Sequence, residues 1–225
     1  MKLKIVDFYA KVAGLNKFPV ALFFCLLLLM VFNTILSIPI TQRVSEVMFS
    51  SMNLPIEQMD MMAAMVKKMS YISIVTTLFT GSVYIFFSAL ILHLLCKIFH
   101  VAITYWSVMT IFIVAALFST IDEIINTVIT LIKGLKQIGS QYDLYHTGLN
   151  ILTSIEKIGI AGYMFLSHIN ILQLLFVIAL TIGLKIVGHI SKRKAAIIAI
   201  IFWLLSVVFI IVMLNASSMT TNFPR

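Results

Sequence analysis

The stretch Phe165–Leu205 constrains this chain more than any other. It holds two apolar runs joined by a short basic turn, Lys185-Ile-Val-Gly-His-Ile-Ser-Lys-Arg-Lys194. Hydrocarbon does not admit such a turn, since one Lys or Arg at mid-depth costs about 2.5–3.5 kcal/mol on insertion scales. The turn therefore sits at a membrane face and fixes the register of both runs. Each run has close to the ~20 residues that a helix needs to cross ~30 Å of hydrocarbon.

Composition agrees. The chain of 225 residues is 61% hydrophobic and 11% charged, against about 25% charged in a soluble domain. Its mean hydropathy is +1.11. This is an integral membrane protein with one membrane domain, 18–225, after a basic segment, 1–17. The net charge of +8 lies beside the spans, where it orients the chain and meets anionic lipid. It does not point to nucleic acid. Cys25 and Cys96 fall in apolar runs, read as packed free thiols and not as a disulfide framework. The first apolar run is too long for a cleavable signal, and no small-x-small site follows it.

Taken in order, Met1–Lys17 is either an interfacial helix or a solvated basic flank. The spans are expected over 18–40, 71–97, 101–120, 162–184 and 195–214. Pro19 suits a first helical turn, and Pro39 marks the exit of span one. Pro55-Ile-Glu57 reads as a helix start. Met59, Met62, Met65 and Met69 then repeat at three and four, as in an amphipathic helix lying on the membrane or the bundle. Met48–Met69 holds seven of the thirteen methionines. Thioethers can hold Cu(I), but they also fill irregular apolar contacts, and packing is the reading taken. Gly81 and Ser82 allow close helix approach. His93, Cys96 and His100 share one face if the helix persists. They lack a fourth ligand, so interfacial packing is preferred to a metal site.

Tyr105 and Trp106 fit an interfacial belt. Asp122 and Glu123 look like a polar terminus; being adjacent, they face different ways and make a poor acid/base pair. Residues 121–162 read as an extension of span three or an interfacial helix, not a sixth span. A polar stretch Ser140–His146 and an amphipathic piece Leu149–Ile160 follow. Asn170 and Gln173, three apart, are the polar intramembrane pair, expected to hydrogen-bond to a neighbouring helix. Asn215-Ala-Ser217 is a glycosylation sequon too close to the membrane to matter.

Alternation places 1–17 and the turns at 97–100 and 185–194 on one side. That side has nine bases against Asp7 alone; the other has seven bases and seven acids over far more residues. Basic density makes the first side cytoplasmic. The expected fold is an all-α polytopic helix bundle. It has five transmembrane helices and amphipathic external helices, with the N-terminus cytoplasmic and the C-terminus outside.

The order Ser167-His-Ile-Asn170, apolar span, Gly183-Leu-Lys185, Gly188-His-Ile-Ser191, Lys192-Arg-Lys-Ala-Ala196 resembles the Yip1 family of multi-pass membrane proteins. The resemblance is specific at Phe165–Trp203 and rests elsewhere on architecture. It implies five spans with a cytoplasmic N-terminus. Eukaryotic members carry a long cytosolic N-terminal region and bind Rab-type GTPases; this chain offers about seventeen residues there. The compact form looks like bacterial members, which implies an accessory protein of the cytoplasmic membrane. Such members are linked to ABC-type efflux pumps or to protection against antimicrobial peptides. The family has no agreed catalytic residues. Gly183, Lys185, Gly188, Lys192, Arg193 and Lys194 are then the candidate partner-binding positions.

The function expected is a non-enzymatic accessory subunit that binds another membrane protein, or itself, and anionic lipid at the cytoplasmic face. No catalytic residue, metal or cofactor is expected. No His-Glu-x-x-His occurs and no two acids fall within the expected spans. A small-molecule or ion carrier is the alternative. Carriers bury ionisable groups at mid-depth and often carry repeats. Here Asn33, Asn170 and Gln173 are the only strongly polar mid-span candidates.

Overall fold

The computed structural model describes Tyr9 and residues 19–50, 55–135 and 146–220. The described residues are helical, with no strand among them. The helices are α1 (Val20–Ser50), α2 (Ile56–Ile98), α3 (Tyr105–Lys133), α4 (Ile155–Ser167), α5 (Ile171–Val187) and α6 (Lys192–Thr220). A 3-10 turn, Leu149–Leu152, precedes α4. α1, α2, α3 and α6 are long and apolar enough to cross a membrane, and the bent pair α4–α5 makes a fifth span if counted as one. This is the expected multi-pass helical bundle. The interfacial reading of 1–17 and the polar stretch 140–145 lie outside the described residues, apart from Tyr9.

Three helices run past the ends expected for them. α1 does not stop at Pro39 but continues to Ser50. Proline removes one rung of the ladder, a loss that membrane helices tolerate when hydroxyls and neighbours satisfy the freed backbone. Thr34, Ser37, Thr41 and Ser45 each bond to a carbonyl three or four residues back, none of them the Ile35 carbonyl that Pro39 frees. α2 starts after Pro55, whose carbonyl accepts from the Gln58 and Met59 amides. It then continues for 43 residues, about 64 Å at 1.5 Å per residue. The amphipathic helix and the second span are thus one element, since no Gly or Pro falls between Ile56 and Thr80 to end it. α3 carries span three on to Lys133, the extension that was one of the two readings for this segment.

The residues divide into two units. The first takes in Tyr9, 86–119 and 146–220. Its core is the start of α3, where Val108, Met109, Ile111, Phe112 and Ile113 are all fully buried. α5 and α6 pack against each other. The Phe202 ring meets Phe112 edge-on at 5.9 Å and stacks on Phe176 at 6.4 Å. The buried face of α5 reads Gln173, Phe176, Ala179, Leu180, Gly183, Leu184, Val187, the three-and-four spacing of a helix stripe.

The second unit takes in 21–85 and 120–135. In it α1 and α2 form an antiparallel hairpin. The Thr34 and Thr77 hydroxyls lie 3.0 Å apart, and a Cβ on Gly81 would sit 3.1 Å from Leu27 and 3.2 Å from Met30. Farther along, Gln42, Ser45, Glu46 and Phe49 face Ala63, Ala64, Val66 and Lys67 around a cavity of about 330 Å3. Lipid tails supply no hydrophobic drive between membrane helices, so close approach of small and hydroxyl-bearing residues holds them. The packed side of α2 runs Met59, Met62, Val66, Ser70, Ser73, Thr77, Gly81. Met65 and Met69 are exposed instead, so the expected methionine stripe divides between two faces.

The hairpin register is testable. In a chain lacking Cys25 and Cys96, Thr34→Cys with Thr77→Cys is expected to cross-link on mild oxidation, read as a gel shift after proteolysis between them. Thr34→Cys with Val75→Cys is expected not to. Equal yields from both pairs would contradict the register.

Candidate functional site

Of the expected partner-binding residues, Gly188, Lys192, Arg193 and Lys194 lie at the turn between α5 and α6 in the first unit and Lys185 in the last turn of α5, whereas Gly183 lies inside α5 and is buried. Gly188 ends α5, its amide donating to the Leu184 carbonyl at 2.9 Å. A Cβ at Gly188 would stand 2.7 Å from that carbonyl oxygen and 2.9 Å from Val101 Cγ1, so the position admits only glycine. His189 follows with φ 48°, a left-handed conformation that reverses the chain. Ser191 then caps α6, its hydroxyl accepting from the Lys194 amide at 3.3 Å.

Val101 belongs to the turn between α2 and α3, so the Gly188 contact brings the two turns together. That second turn also reverses through a left-handed histidine, His100 with φ 50°. Its closing bonds are His100 N to Lys97 O and Val101 N to Cys96 O. Lys97 and His100 thus join Lys185, His189, Lys192, Arg193 and Lys194 at one end of the unit. Lys97, Lys185, Lys192 and Arg193 are exposed and Lys194 half-buried. Among the described residues no carboxylate lies within salt-bridge distance of these bases.

The turn also settles the geometry of the histidine–cysteine spacing. α2 ends at Ile98, so His100 leaves the face that carries His93 and Cys96. Cys96 is fully buried, and the His93 ring packs edge-on against Tyr105 at 5.9 Å.

Asn170 and Gln173 are placed differently from a shared helical face. The span expected over 162–184 is two helices bent by 47°, the first closing at its C-cap His168 and the second starting at Asn170. Its Oδ1 accepts from the Gln173 amide at 2.8 Å, a helix N-cap. Asparagine favours this role because its short side chain offers the backbone a bond that competes with continued helix. The Gln173 amide donates to Ser119 Oγ at 3.1 Å on α3, the inter-helix hydrogen bond expected of it.

One residue that sequence reasoning passed over holds this region together. Tyr9 is fully buried, and its hydroxyl donates to the Ala179 carbonyl of α5 at 3.3 Å. A Cβ on Gly183 would come within 3.0 Å of the Tyr9 ring and 2.6 Å of Ile111 Cγ2. Ala179 and Gly183, four apart, form the small-residue seat into which Tyr9 and Ile111 fit. Burial pushes the Tyr9 phenol well above its usual range. A lone Tyr among bases in 1–17 gives no sign of this, since the seat lies 170 residues away.

Tyr9→Ala is expected to cost about 3–5 kcal/mol, the range for removing a large buried aromatic, and Tyr9→Phe about 1 kcal/mol. Gly183→Val, which adds volume where none is free, is expected to cost about 1–3 kcal/mol. Thermal unfolding in detergent checks all three. The native state keeps the Tyr9 proton above the ordinary tyrosine value while the unfolded chain loses it, so stability falls as pH rises through about 10. That fall should be smaller in Tyr9→Phe.

No curated protein and no solved structure matches the chain. The Yip1 domain family matches it over residues 6–214, which takes in Tyr9, every helix from α1 to α5, both basic turns and most of α6. This protein is therefore a member of the Yip1 domain family.

Proposed function

We propose that this integral membrane protein is a non-enzymatic accessory subunit of a membrane complex in the bacterial cytoplasmic membrane. It docks another membrane protein through the basic end formed by the turns at 97–101 and 185–194. The observation that carries this reading is the pairing of a fixed backbone with free charge. Gly188, Val101 and the Ser191 cap hold the turns in one shape, yet Lys97, Lys185, Lys192 and Arg193 are exposed with no carboxylate near them. Basic density puts this end in the cytoplasm, with the C-terminus outside. There it also meets anionic headgroups, at about 1 kcal/mol per base. The resemblance to compact bacterial Yip1 proteins makes an ABC-type efflux pump, or machinery protecting against antimicrobial peptides, the partner to look for first.

A second reading, a small-molecule or ion carrier, draws on the break at His168–Asn170. Broken helices with polar caps line the binding sites of many transporters.

Affinity purification of the tagged protein from its native membrane in mild detergent tests the first reading. A stoichiometric membrane-protein partner is expected, along with bound acidic phospholipid. Replacing Lys192, Arg193 and Lys194 with Gln should release most of both, while unfolding temperature stays as in the wild type. A clean homomer, or a partner retained in full by the triple variant, would sink the docking role.

A further inference from the structure

The continuation of α3 to Lys133 has a chemical consequence in the second unit. Asp122 and Glu123 do not end the span; they lie inside it, ten residues before Lys133. That is about 15 Å along the helix from Lys133 and, eighteen residues on from Tyr105, about 27 Å from its start, so the pair lies toward the outer side of the ~30 Å hydrocarbon thickness. Asp122 is buried and Glu123 exposed, as neighbours about 100° apart on a helix must be.

Glu123 meets the middle of α1. Asn33 Nδ2 donates to Glu123 Oε2 at 3.5 Å. The Thr127 hydroxyl lies 2.9 Å from Asn33 Oδ1 and 2.9 Å from the Glu123 carbonyl. Thr127 thus turns the Asn33 amide so that its NH2 group faces the carboxyl. Asn33 itself stands ten residues before Arg43, the first base on α1, again about 15 Å. Arg43 is held at its own level, on the Leu135 carbonyl at 3.3 Å and on Glu46 at 3.4 Å.

The charged and titratable groups around the carboxyl are therefore few. α1 brings the Cys25 thiol, eight residues before Asn33, and no charged group nearer in sequence than Arg43 and Glu46. The part of α2 that pairs with α1 here, near Thr77, offers only Tyr71 and Tyr84. α3 itself supplies Asp122 and, ten residues on, Lys133. No cation lies within salt-bridge distance of Glu123 among the described residues.

An ionised carboxylate in hydrocarbon needs a cation or several strong donors. Glu123 has one long bond from a neutral amide. We propose that Glu123, held by Asn33 and Thr127, is a proton-binding site within the membrane. The proton neutralises the carboxyl, and the Asn33–Thr127 pair fixes the oxygen that stays unprotonated. The site is separate from the basic turns and stands whether or not those turns dock a partner. It also replaces the reading of Asp122 and Glu123 as a polar terminus beyond span three.

A hydrophobic carbodiimide tests this, because it reacts from the lipid phase with carboxyls that carry a proton. The full chain in lipid nanodiscs is treated with dicyclohexylcarbodiimide across a pH series, and adducts are located by peptide mass spectrometry. The expected result is a single dominant adduct at Glu123 in neutral buffer, falling at least about tenfold as the proton is withdrawn in strongly alkaline buffer. Glu46, Glu57 and Glu156 should stay unmodified, and Glu123→Gln should show no adduct. Three results would overturn the proposal: no adduct at Glu123 at any pH, an adduct on Asp122 instead, or equal modification of all glutamates. Mapping is done on the wild-type chain, so the outcome does not depend on the variant folding.

Discussion

A peptide group without a hydrogen-bond partner costs several kcal/mol in hydrocarbon, and the rest of this structure follows from that cost. Within the described residues most of the apolar backbone is helical. Where a helix stops, a specific group takes over the exposed backbone bonds. Asn170 does so at the start of α5 and Ser191 at the start of α6. Gly188 closes the end of α5 on the Leu184 carbonyl, and the Leu95, Cys96 and Lys97 carbonyls close the end of α2. Gly159, with φ 72° inside α4, is a break without such a group. Polarity alone does not make one, which is why α1 runs through Pro39 and Thr41 and why α3 runs through Asp122 and Glu123.

The same rule separates what was legible in the sequence from what was not. The turn at 185–194 was legible because charge, glycine and a capping serine all point to one local shape. The helix start at Pro55–Glu57 was legible for the same reason, and Gln173 because a buried amide must find a partner. The span bounds at Ile40 and Tyr71 do not mark helix ends because they were drawn where hydropathy changes. A helix ends where its backbone is capped, and hydropathy does not record that. Asn170 was visible as a polar residue, but its cap role depends on which backbone conformation wins locally.

Two contacts were beyond sequence reasoning altogether. Tyr9 on Ala179 and Gly183, and Asn33 on Glu123, join residues 170 and 90 apart. Nothing in the local pattern of 1–17 separates a tyrosine that enters the bundle from one that stays at the interface. Asn33 was noticed as polar and mid-span, and Glu123 as a polar terminus. Only the unbroken course of α3 puts the two at one depth.

The two units solve helix packing with different residues, and the difference bears on what each can do. In the first, rings and branched chains interlock around α3, with Tyr9 and Ile111 filling the seat at Ala179 and Gly183. Such packing is dense, with the Tyr9 phenol buried and held on the Ala179 carbonyl, which suits a scaffold that must hold its basic turns in one geometry. In the second, α1 and α2 meet through hydroxyls at Thr34 and Thr77, and α1 meets α3 through Asn33 and Thr127. Hydroxyl and amide contacts in membrane helices contribute about 0.6 kcal/mol each on average. They are individually easy to exchange and they accept charge nearby. A carboxyl that gains or loses a proton belongs in packing of that kind, because the bonds it rearranges are weak.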